Sequence, residues 1–193
     1  STPKPSSAAS DVYKRQDLYY TSFCNKLYRQ ELAVKLRNDG DICFTEDRLA
    51  NCYGLRGVKR IVMDNVPRYH YITRSGSLAQ HSLSERQFTA LEASRQVIDM
   101  MRDEPALLPY CIRQKDIILM TLITRIIKAD CFGDRYPALR AEILEDYRAI
   151  IRSGLYNRKE KLTAFLLRYM PWAYKIVVKA AAQCCEKAKA RET

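Results

Sequence analysis

The 193 residues include 33 basic and 22 acidic side chains, for a formal charge of +11, and 47% of them are apolar or aromatic. That apolar share excludes disorder throughout, and the length fits one ordinary domain or a small domain with an appendage. Seven cysteines, an odd number without any C-x-x-C spacing, exclude a disulfide framework or a cysteine zinc site and indicate thiols in a reducing cytosol. The positive excess predicts an anionic partner: nucleic acid, a phosphorylated substrate or a membrane surface.

Residues 1–16 are polar, rich in Ser, Ala and Pro, and lack any periodic apolar pattern. They are expected to be disordered and, because their end resembles translated adapter sequence, non-native. No apolar segment of signal-peptide type is visible there. The longest candidate span, Ile117 to Thr124, has only 8 residues, far short of the roughly 20 a transmembrane helix needs. A cytoplasmic location follows as the expectation, with peripheral attachment to the inner face of the plasma membrane as its variant.

Between residues 17 and 82 the signals are short and mixed. Phe23 to Tyr28 reads as an extended piece, followed by one or two helical turns through Leu36. Asp39-Gly40 marks a turn, and Thr45 stands where a helix N-cap belongs. Glu46 and Asp47 then occupy the first turn, where unpaired N–H groups and the macrodipole favour negative charge. That helix should run to about Arg56 and end at Gly57. Arg60-Ile61-Val62-Met63-Asp64 and Arg68-Tyr69-His70-Tyr71-Ile72-Thr73, β-branched and aromatic and separated by Asn65-Val66-Pro67, predict two strands.

From residue 83 onward the pattern is helical only. Ser84-x-x-Gln87 predicts a capping box opening a helix to about Arg102. After Pro105 and Pro109, a helix to about Ala129 is apolar nearly all round and should be innermost in an antiparallel cluster spanning 84–153. Asp134 to Ser153 predicts another helix with Gly154 just beyond it. Asn157-x-x-Glu160 begins the next, and Pro171 suits the first position of the last. Residues 155–193 hold nine basic and three acidic side chains interleaved with apolar ones. Such a tail either docks on an anionic membrane or packs as an ordinary helical face.

Three segments carry a resemblance. Asn25-Lys26-Leu27-Tyr28, then Glu46-Asp47, then Tyr69-His70-Tyr71 with the loop Arg74-Ser75-Gly76-Ser77, resemble in order and spacing the C-terminal half of a bacterial family 2 glycosyltransferase of the cell-surface polysaccharide kind. The resemblance implies an α/β fragment: the C-terminal part of a GT-A domain over 17–82, made of short strands plus helices, followed by a mainly α-helical region over 83–193. It supplies only the second half of such a catalytic domain. The nucleotide-binding strands and the Asp-x-Asp of the first half are absent from these residues, so the chain is expected to be inactive alone.

The implied chemistry is inverting transfer from a nucleotide-diphosphate sugar to a hydroxyl of a glycan or lipid-linked acceptor. The resemblance places the general base at Asp47 with Glu46 beside it, and gives Lys26, Arg74, Gly76 and Ser77 to substrate binding. A guanidinium such as that of Arg74 suits a leaving diphosphate, because its fork of donors matches phosphate oxygens. Ile72 stands where the family often has a further basic residue. A divalent ion, Mg or Mn, is expected in the complete enzyme, with its ligands mostly in the missing half and none assigned here. The competing reading is a basic helical nucleic-acid-binding or adaptor domain. No helix-turn-helix glycine turn and no aromatic–basic RNA-binding signature supports it, so nucleic acid is not an expected partner.

Overall fold

Residues 22–23, 26–36, 40–62 and 83–189 are described by the computed structural model, with side chains to residue 184. The expectation of an α/β GT-A fragment is overturned, because the described residues form helices and connections with no strand among them. Arg60, Ile61 and Val62 of the first predicted strand are irregular, and Val62 is largely exposed. The remainder of that strand and all of 68–73 lie outside the described residues. The physical reason is that a β-branched run expresses a preference for a pleated, half-buried surface, and realises it only against a pairing partner. No such partner exists for 60–62 among the described residues.

The helices are α1 (Gln30–Ala33), α2 (Glu46–Leu55), α3 (Glu85–Met100), α4 (Leu108–Ala129), α5 (Tyr136–Glu145), α6 (Tyr147–Arg152), α7 (Arg158–Tyr169) and α8 (Pro171–Lys189), with a 3₁₀ turn at Gly133–Arg135. The chain divides into two compact units between Ile112 and Arg113, within α4.

In the first unit α2 packs on α3. Ile42, Leu49, Cys52, Ala93, Val97, Met101 and Cys111 form its buried cluster. Leu49 and Cys52 stand three apart on one face of α2, while Ala93, Val97 and Met101 recur every four residues, so both faces follow the helical period. Gly57 ends α2 with φ +79°, a left-handed conformation that suits glycine. Ser84 holds the N-cap of α3 in extended conformation, but its side chain makes no capping bond. The box with Gln87 is therefore absent, and the backbone N–H of the buried Gln87 donates to the Ser84 carbonyl.

In the second unit α7 packs against α5, α6 and α8. Leu119, Ile123, Ile143, Ile150, Ala164 and Leu167 are fully buried there. On α4, Met120, Leu122, Ile126 and Ile127 are buried as well, whereas Thr121 is exposed. The helix predicted over 134–153 is interrupted at Asp146 (φ −86°, ψ 2°). Asn157 and Glu160 do form a capping box, each carboxylate or amide oxygen accepting from the other's backbone N–H at 2.9 Å. Asn157→Ala should lower stability by about 1 kcal/mol, read as a shift in urea midpoint at unchanged slope. At the other end of α7, Arg140 donates to the carbonyls of Leu167 (2.6 Å) and Arg168 (3.2 Å). A cation thereby satisfies acceptors that the helix terminus leaves unpaired.

Candidate functional site

The N-terminus of α2 carries the predicted acidic pair, both residues partly buried. Successive residues four and three apart lie on one stripe of a helix. On α2 that stripe is Asp47, Asn51 and Gly54, and it faces the segment 23–36 at three points. The Phe23 backbone N–H donates to Asp47 Oδ2 at 3.2 Å. The Tyr28 hydroxyl donates to Asn51 Oδ1. Leu36 packs where a side chain at position 54 would begin, in the room that glycine leaves. The first and second predicted segments, far apart in sequence, therefore meet in space. Lys26 belongs to the same turn of chain and donates from Nζ to the Ser22 carbonyl, one residue before Phe23. Phe23 and Tyr28 also meet edge to face, with ring centroids 6.3 Å apart. Burial, and secondarily the Asp47 carboxylate, raise the Tyr28 phenol above its ordinary range, while the bond to Asn51 acts the other way.

Thr45 occupies the expected N-cap position without performing the expected capping. Its backbone is left-handed (φ 63°, ψ 17°) and its side chain makes no cap bond. Capping requires extended backbone to aim the oxygen at the first free N–H groups, and a β-branched residue at positive φ is strained. Oγ1 of Thr45 is buried without a hydrogen-bond partner among the described residues. What fixes this entry is a residue of α3 instead. Thr89 Oγ1 accepts from the N–H groups of Cys43 (3.1 Å) and Phe44 (3.2 Å) and donates to the Arg86 carbonyl (2.6 Å). The loop that presents Glu46 and Asp47 is thus fastened to α3 through one hydroxyl.

Arg48 was missed by the sequence reading. It is only 7% exposed, lies against the buried Cys111 thiol, and leaves Nη1 without a partner among the described residues. Burial pushes the Cys111 thiol up; Arg48 counteracts this and Cys52 adds to it. Cys43, Cys52, Cys111, Cys131 and Cys184 are thiols. Of the other predicted substrate-binding residues, Arg74, Gly76 and Ser77 lie outside the described residues, as does the Tyr69-His70-Tyr71 segment.

The second unit holds a polar network that the sequence did not announce. Asp116 is fully buried on α4, accepts from the Tyr156 hydroxyl through Oδ2 at 2.6 Å, and has no hydrogen-bond partner for Oδ1 among the described residues. Lys115 donates to Asp146 at 2.9 Å and stands 3.9 Å from Glu142 and 4.0 Å from Asp116. Arg113 pairs with Glu160 at 2.7 Å. Burial, with the neighbouring Asp146 carboxylate, pushes Asp116 up to about 7, opposed by the Tyr156 bond and by Lys115. Burial opposes the Lys115 ammonium, yet Asp146, Asp116 and Glu142 together raise it. Perturbed carboxylates mark active sites when they line a cleft. Asp116 is sealed within packed helices, which assigns it to structure.

Among the described residues no group of three His, Cys, Asp or Glu side chains is placed to hold a metal ion, and no helix is long and apolar enough to cross a membrane. No family model matches the sequence, and no curated protein and no solved structure is significantly similar to it.

Proposed function

We propose that this chain carries the acceptor side of an inverting glycosyltransferase of the family 2 kind, with Asp47 as general base. The observation that carries the reading is the junction at α2, where Asp47 accepts the Phe23 N–H and Asn51 accepts the Tyr28 hydroxyl. Two of the three segments that carry the resemblance, 25–28 and 46–47, belong to the stretches that these bonds join. A carboxylate held in a first helical turn has its charge supported by the helix N-terminus, and the bond from Phe23 to Oδ2 orients it.

In the reaction, the acceptor hydroxyl oxygen forms a bond to the anomeric carbon as the bond from that carbon to the diphosphate breaks. The hydroxyl proton passes to the Asp47 carboxylate, and the nucleoside diphosphate leaves with the electron pair from the opposite face. Glu46 positions the acceptor beside the base. Lys26 belongs to the floor of the site, and Arg74 with Gly76 and Ser77 meets the diphosphate charge. A divalent ion, Mg or Mn, would neutralise part of that charge when bound, with its ligands supplied from the nucleotide-binding half.

The test is sugar transfer from a nucleotide-diphosphate donor by the full-length protein that contains this chain. Asp47→Asn keeps the size and the ability to accept from Phe23 but cannot take a proton. Turnover should fall at least about a hundredfold with the helical circular dichroism unchanged. Undiminished turnover by that variant would remove Asp47 from the role of base.

A further inference from the structure

We propose that α7 and α8 form a docking surface for an anionic lipid bilayer, lying in its headgroup plane without crossing it. The inference is independent of the role of Asp47. Leu162, Phe165, Tyr169, Met170, Trp172, Ile176 and Val177 are 37–63% exposed, and most of the large exposed apolar side chains of the described residues fall in this one stretch. Single exposed apolar residues are ordinary; such a concentration marks an interaction surface. The inward sides of the same helices are already filled by Ala164, Leu167, Tyr174 and Val178, each buried. The core of the unit therefore does not account for the outward set.

Charge selects the occupant. Between residues 158 and 179 stand six basic side chains, Arg158, Lys159, Lys161, Arg168, Lys175 and Lys179, against the single acid Glu160. Glu160 is turned to Arg113 and to its capping box, and Lys179 pairs with Asp130 at 3.0 Å, so the other five basic side chains are the ones that leave the outer surface cationic. Arg168 lies over the Tyr147 ring at 4.7 Å and Lys175 over the Tyr136 ring at 4.5 Å, so both are exposed yet held in place. Cations beside Trp, Tyr and aliphatic side chains match the two layers of a bilayer interface, phosphate above and acyl chain below. A second copy of the chain fits less well, because a two-fold contact through this face would set its cations against one another. A bare polyanion such as nucleic acid would satisfy the lysines and leave Leu162, Ile176 and Val177 in water.

The chain supplies its own reporter, since Trp172 is the one tryptophan in the sequence and stands 63% exposed within the patch. The experiment titrates the 193-residue protein with vesicles of phosphatidylcholine containing about one-third phosphatidylglycerol, and with vesicles of phosphatidylcholine alone. The expected result is a blue shift of Trp172 emission with the mixed vesicles and quenching by brominated acyl chains. The shift should weaken in high salt and be largely absent with phosphatidylcholine. Lys175→Glu should weaken partitioning at least about tenfold, since reversal replaces attraction to the anionic surface by repulsion. Ile176→Ser should weaken it while retaining the reporter; both positions are exposed, so neither change disturbs the core.

Unchanged emission with anionic vesicles overturns the proposal. So does a shift that grows with protein concentration without lipid, which would assign the face to self-association. An equal shift with heparin, a polyanion lacking acyl chains, also overturns it, as does partitioning of Lys175→Glu equal to that of the parent.

Discussion

Ile123→Asp is expected to abolish the cooperative unfolding transition of the second unit. Ile123 is fully buried on α4, in a stretch where Leu119, Leu122 and Ile126 are also buried. An aspartate there has two poor choices. It can remain charged in a buried apolar stretch, or take up a proton and still bury a hydroxyl and a carbonyl among hydrocarbon. Lost apolar burial adds to either, and a total beyond about 4 kcal/mol rivals the whole stability of an ordinary domain. Thr121→Asp is the matched control, because that position on the same helix is exposed and should shift the thermal midpoint only slightly. A soluble Ile123→Asp protein with the parent's midpoint would remove α4 from the core.

The second large effect is on pH dependence. The carboxyl of Asp116 is pushed up to about 7 by burial, from an ordinary value of 3.8. The folded chain thus holds this proton more tightly than the unfolded one. As pH rises from about 4 to about 7 the unfolded state loses its proton first, so stability from this group falls across that window. It is then lower by up to about 4 kcal/mol above pH 7, the equivalent of the displacement between the two values. Asp116→Asn carries no proton to lose and retains an oxygen for the Tyr156 hydroxyl. Its new amide hydrogens need a partner where Oδ1 now has no hydrogen bond among the described residues, and the Lys115 ion pair is lost, which together offset part of the gain. The variant should therefore be more stable than the parent by about 2 kcal/mol at pH 8, with the difference shrinking or reversing toward pH 4. Urea unfolding of both proteins across that range decides it, and two curves running parallel would rule out Asp116 as the titrating group.

What was legible in the sequence, and what was not, divides along the range of the interactions. Local chemistry read correctly where one residue decides the backbone. Gly57 ends α2, Pro171 opens α8, and Asn157 with Glu160 caps α7. The same kind of reading failed at Thr45 and Ser84, where residues of the right type sit in the right place but make no side-chain cap. At Thr45 the surrounding loop, held by Thr89 on α3, imposes a left-handed backbone that turns the hydroxyl away. Residues 60–62 of the expected strand are irregular and have no pairing partner among the described residues, which no local run of Ile and Val can supply. The stripe Asp47, Asn51 and Gly54 was open to reading by helical spacing alone. Asp116 was not, because Tyr156, which bonds it, lies 40 residues away in sequence.

Gly54 sets two demands on α2 against each other. Within a helix, alanine is favoured over glycine by about 1 kcal/mol, so a methyl group there would strengthen α2 considered alone. That methyl would enter the space of the Leu36 side chain, the far end of the segment whose near end bonds Asp47. A stiffer helix would therefore require the end of the Leu36 side chain to move aside, a shift that a flexible side chain can make. The glycine leaves the helix weaker and lets the Leu36 side chain lie directly against it.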